Sequence, residues 1–133
     1  MTDKRATVPA PDHPITIERN PARVIVMAAG RIIADTRDAV TLREASYAAV
    51  HYVPRKDVDM SALERSAHAT FCPYKGECAY YDIRIDGRRS INAVWTYEAP
   101  FPAVAEIQGR LAFYPEHVDS IEERLEVSGG PNG

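Results

Sequence analysis

The sequence predicts a single all-β domain, and three observations carry that expectation. Short runs rich in Val, Ile, Thr and Tyr are broken by turn residues such as Asn20-Pro21, Ala29-Gly30, Pro54 and Asp86-Gly87. Convincing helix signals cover roughly a tenth of the chain, against a usual third or so. A length of 133 residues with 45% hydrophobic and 26% charged side chains is the balance of one globular unit. At this size folding buries roughly two-thirds of the surface of the unfolded chain, enough for a core without staples.

Residues 1–14 carry Pro9, Pro11 and Pro14 among small and polar residues and are expected to form a flexible leader. The domain then spans 15–127, and Ser-Gly-Gly-Pro-Asn-Gly at 128–133 is expected to be a disordered tail. Ile15 and Ile17 alternate with Thr16 and Glu18 in a first strand. Arg23 to Ala28 and Arg31 to Thr36 flank Ala29-Gly30 as a hairpin, which would oppose Met27 with Ile32, Val26 with Ile33 and Ile25 with Ala34. Residues 40–44 and 49–53 read as strands, the second stopped by Pro54. Asp59 or Ser61 would cap a short helical turn through Arg65, and Pro102 to Gln108 would form another, ended by Gly109. Residues 79–85 and 89–97 form a hairpin around Asp86-Gly87. A two-residue turn there would mix apolar and polar partners. A three-residue loop or a bulge is expected instead, opposing Ile83 with Ile91, Tyr81 with Ala93 and Ala79 with Trp95.

Sixteen basic against 19 acidic residues and a net charge of -3 give no overall attraction to nucleic acid. No run approaches the roughly 20 apolar residues of a membrane helix, and Lys4 and Arg5 are not followed by the apolar stretch of an export signal. A cytoplasmic protein with two reduced cysteines is expected, without membrane or nucleic-acid partners, and a homodimer is compatible with the sequence.

One segment stands apart, Thr70-Phe71-Cys72-Pro73-Tyr74-Lys75-Gly76-Glu77, which joins a nucleophile, an aromatic ring, a cation and a carboxylate. Together with Val50 to Val58, Asn92 to Tyr97 and Leu111-Ala112-Phe113-Tyr114, it resembles a bacterial and fungal family of small domains of unknown function, loosely labelled nucleotidyltransferase-like. The resemblance covers about residues 20–125 and implies twisted antiparallel sheets similar to Mss4-type, or β-tent, proteins. It implies no established activity. The label itself fails a motif test. Asp57 and Asp59 have the spacing of metal-binding carboxylates, but no Gly-Ser turn precedes them to hold a triphosphate, so capping of the following turn is the expected role.

Zinc is not expected. Cys72 and Cys78 form no Cys-x-x-Cys knuckle, and only His51 and His68 are at hand to complete a ligand set. No other cofactor is implied. As an enzyme, the domain would use Cys72 as a thiol nucleophile or redox centre, as methionine sulfoxide reductases do on a similar fold. His68 or Lys75 would then lower its pKa. As a scaffold, it would use the same turn only to shape the fold. The expectation favoured here is a binding module for a polar small molecule or a protein segment. Its site would be formed by Cys72, Tyr74, Lys75 and Glu77, with Tyr52, Arg55, Tyr80 and Asn92 around them. Lys75, Arg55 and Arg84 would favour a neutral or anionic ligand. Tyr81, Trp95 and Tyr97 are expected in the core and His51 in a structural role, while His13 and His117 carry no reading.

Overall fold

A computed structural model describes residues 13–125. Ten strands among them build three antiparallel sheets. The first sheet orders β1 (Ile15–Arg19), β4 (Val40–Glu44) and β5 (Val50–Tyr52) as β1-β4-β5. The second orders β10 (Ser120–Arg124), β2 (Arg23–Ala28) and β3 (Arg31–Thr36) as β10-β2-β3. The third runs β6 (Leu63–Cys72), β7 (Gly76–Ile85), β8 (Arg88–Thr96) and β9 (Leu111–Phe113) in sequence order. A bridge between Val53 and Leu111 fastens the first sheet to the third, and one between Ala34 and Val58 holds the segment after β5 against β3. The chain is therefore all-β. Among the described residues, short 3-10 turns at Arg55–Asp57, Met60–Ala62, Pro102–Ile107 and Pro115–His117 supply the helical content, and no helix is long and apolar enough to cross a membrane. The expected tail lies outside the described residues, as does all of the leader except His13 and Pro14.

The Ala29-Gly30 hairpin forms, with both residues at positive φ (50° and 75°) as a tight hairpin turn requires. Met27 opposes Ile32 as expected, but a bulge then changes the register to Val26 with Ala34 and Ile25 with Asp35. Val24, Ile25 and Val26 are all buried, so no solvent face pins the register of β2. The bulge lets both Ile33 and Ala34 enter the core and leaves Ile32 outside.

The second hairpin departs from its expected register for a related reason. Asp86 and Gly87 form a two-residue turn at φ 51° and 78°, giving Ile85 with Arg88 and Ile83 with Ser90. The expected pairs Ile83/Ile91, Tyr81/Ala93 and Ala79/Trp95 do not form. A bulge does occur, at Ile91, Asn92 and Ala93, and beyond it Tyr81 pairs with Val94, Tyr80 with Trp95 and Ala79 with Thr96. Residues 80–83 are all buried, with Tyr81 and Ile83 in one core cluster and Tyr80 in the other, so a two-face sorting argument has nothing to sort. Buried Asp82 accepts the Asn92 backbone N–H at 2.8 Å, which holds Asn92 at φ 53°.

Asp59 caps the Met60–Ala62 turn by accepting the Ser61 N–H, whereas Asp57 accepts the Thr36 hydroxyl at 2.7 Å. That turn stops short of Arg65, because β6 begins at Leu63. Core residues fall into two clusters. One joins β2 and β3 to Tyr81, Ile83, Val94, Leu111 and Phe113; the other joins β4 and Tyr52 to Cys78, Tyr80, Tyr97, Val104 and Ile107.

Candidate ligand-binding cleft

The Cys72 turn is built by local rules. Pro73 fixes one torsion, the Lys75 N–H donates to the Cys72 carbonyl at 3.2 Å, and Gly76 sits at φ 112°. A Cβ on Gly76 would also meet the Ala99 carbonyl at 3.5 Å. The turn closes inward. Lys75 is 7% exposed, and its Nζ donates to Glu44 Oε1 at 2.5 Å. Glu44 Oε2 bonds His13 Nε2 at 2.8 Å, and the His13 ring stacks on Tyr74 with centroids 4.0 Å apart. Burial raises the Glu44 pKa, but bonds from Lys75 and His13 outweigh it and hold the carboxyl below its ordinary value. His13 was not legible as part of this clasp, since its partners lie 31 and 61 positions away, at Glu44 and Tyr74.

The other expected site residues are dispersed. Tyr52 is buried at 1% exposure, its hydroxyl accepting the Trp95 indole N–H at 3.2 Å. Arg55 is exposed and donates to the Tyr81 hydroxyl at 3.2 Å, Arg84 pairs with Glu64 at the surface, and Glu77 is exposed at the start of β7. Cys72 is half-buried against the second core cluster. His68, Tyr80 and Asn92 do come together, in a shallow hollow of about 250 Å³ shared with Tyr114, Glu116 and His117. There Tyr80, expected to face a ligand, is buried, its ring against His68 and its hydroxyl 2.9 Å from that of Thr70. Among the described residues no group of three or more His, Cys, Asp or Glu side chains is placed to hold a metal ion.

Of the two thiols, Cys78 is the one withdrawn from solution. Cys78 is buried; burial pushes its pKa up, and the hydroxyls of Tyr80, Tyr97 and Thr70 offset this only in part. In the native protein at neutral pH, Cys78 is expected to react with iodoacetamide far more slowly than in denaturant, as followed by mass spectrometry. Native labelling of Cys78 at the denatured rate would contradict its place in the core.

A larger concavity lies where the three sheets meet. Val24 and Val26 of β2, Ile121 of β10, Trp95 of β8, Phe113 of β9 and Val50 with His51 of β5 enclose about 470 Å³. Ala48 and Ala49, in the exposed loop before β5, form its lip, and Pro115, Asp119 and Ser120 complete the rim. Trp95, expected wholly in the core, is half-buried, held by Tyr52 beneath and by Tyr114 at 4.4 Å between ring centroids. His51 is anchored by Nδ1 at 2.9 Å from the Thr41 hydroxyl. Sequence reasoning missed this cleft because most of its walls are the same apolar strand residues that signal a core.

A family profile for a domain of unknown function, DUF427, matches residues 16–124. The chain belongs to this family. No curated protein matches the chain. Every residue lining the cleft lies within the family's matched span, as does the whole Cys72 turn, whereas His13 of the clasp lies before it.

Proposed function

We propose that this domain is a binding module that holds the apolar part of a small molecule, or of one side chain of a protein segment, in the cleft walled by Trp95. The observation that carries the reading is the cavity itself. It is half-enclosed, apolar and about 470 Å³, within the roughly 300 to 1,000 Å³ range of ligand pockets. It also leaves the side of an aromatic ring accessible in a domain that buries Tyr52, Tyr81 and Tyr97.

In this reading the Cys72–Glu77 turn acts as a support. Lys75 seizes Glu44, the last residue of β4, and the next residues form the loop whose Ala48 and Ala49 make the lip of the cleft. The proposal retains the Mss4-type likeness, supported by three antiparallel sheets that do not close into a barrel. It also retains a reducing compartment, supported by two free thiols.

The chain has one Trp, so its emission reports on the cleft directly. Titration with small aromatic probes is expected to shift Trp95 emission saturably. Ala49→Phe, which fills the exposed lip, should abolish the shift while leaving the melting temperature unchanged. Emission that responds equally in the Ala49→Phe variant would count against the cleft.

A further inference from the structure

From the charge around the cleft we infer that its ligand is an organic cation, a protonated amine on a compact apolar body; this rests on the cleft being the binding site. Asp119 immediately precedes β10, and strand alternation puts Asp119, Ile121 and Glu123 on one side of it. Ile121 pairs with Val26 and Glu123 with Val24, the two valines of the cleft floor. The floor is thus an apolar strip with the Asp119 carboxylate at its rim, while Glu123, further along the strand, lies outside the cleft in the neighbouring hollow that Arg19 and Arg43 also line.

Asp119 is not neutralised in the way of other surface carboxylates. Asp35 is paired with Arg23, Asp38 with Lys56, Glu64 with Arg84 and Arg89, Glu98 with Arg65 and Glu122 with Arg124. Asp119 accepts a backbone N–H from Gly30 at 2.8 Å, and Glu123 accepts the Asn20 amide at 2.8 Å. Among the described residues no Lys or Arg lines the cleft.

His51 does not replace one. Its Nε2 is 3.6 Å from Glu123 Oε1, and its Nδ1 meets the Thr41 hydroxyl, which already accepts from Asn20 at 3.0 Å. Both partners, Glu123 and Thr41, belong to the hollow beside the cleft, so the His51 ring nitrogens are engaged outside the cleft lining. An ammonium entering beside the Trp95 ring gains the negative potential of the ring face as well as the Asp119 carboxylate. An anion would meet that carboxylate with no Lys or Arg among the described lining residues to offset it.

The test uses three probes of one shape, phenethylamine, phenethyl alcohol and phenylacetate, titrated against Trp95 emission at low salt with the full chain. Phenethylamine is expected to bind on the order of five- to tenfold more tightly than the alcohol, and phenylacetate most weakly. In the Asp119→Asn variant, at an exposed position whose amide oxygen can still accept the Gly30 N–H, the amine should fall to the affinity of the alcohol, which itself should not change. Phenylacetate binding as tightly as the amine, or amine binding indifferent to Asp119→Asn, would overturn the charge inference while leaving the cleft in place. If none of the three shifts Trp95 emission, the cleft reading itself is overturned.

Discussion

Tyr52→Ala is expected to be the most damaging single substitution in the second core. The ring is 1% exposed, packs edge-on to Trp95 with centroids 6.2 Å apart, and accepts the indole N–H. Removing a buried aromatic of this size costs about 3 to 5 kcal/mol, which is much of the stability of a domain this small. Tyr52→Phe keeps the packing and loses only the hydroxyl, so about 1 kcal/mol is expected, together with a change in Trp95 emission as the indole N–H loses its acceptor. Burial pushes the Tyr52 phenol well above its ordinary value, so it stays protonated and neutral, as an acceptor beneath the cleft must. Urea denaturation measures both variants. A Tyr52→Ala loss no larger than that of Tyr52→Phe would show that the ring is not the support assigned to it.

Lys75→Met is expected to cost nearly as much, by an electrostatic route. Breaking a buried ion pair from one side typically costs about 3 to 5 kcal/mol, because the remaining charge is left without its partner. Glu44 keeps its bond to His13, so about 2 to 3 kcal/mol is expected here. Lys75→Met/Glu44→Leu removes both charges and should recover most of that loss.

The pH dependence has a definite sign. The folded Glu44 pKa lies below its ordinary 4.5, so the stability from this clasp is present above pH 4.5 and is lost as pH falls through the folded pKa. Denaturation at neutral and acid pH should therefore show the wild type losing more on acidification than the double variant. A double variant as unstable as Lys75→Met alone would mean that Met at 75 acts through packing.

What the sequence disclosed, and what it hid, divides by sidedness. β1 was legible because Ile15 and Ile17 alternate with polar residues over one half-buried face, and the turn at Ala29-Gly30 because Gly30 readily takes the positive φ that a tight turn needs. Registers were not legible wherever a strand is covered on both faces, as in β2 and β7, because alternation then carries no information. β6 failed for the opposite reason. As an edge strand with most of its residues exposed, including Glu64, Arg65, Ala67 and His68, it shows no apolar stripe at all.

The site divides in the same way. Cys72 to Glu77 was recognisable as a constrained turn from Pro73 and Gly76, but whether Lys75 faces solvent or Glu44 is decided by a strand some thirty residues earlier. The cleft depends on how three sheets abut, and its lining is drawn from positions 24 to 121. No local window of sequence contains it.

Methyl-resolved NMR of the full chain during titration with phenethylamine locates the binding site residue by residue. The largest shift changes are expected on the Val24, Val26, Val50 and Ile121 methyls and on the Trp95 indole N–H, with the Tyr74 and Lys75 signals unmoved. Changes centred on the Cys72–Glu77 turn, with the cleft methyls silent, would contradict the cleft as the binding site.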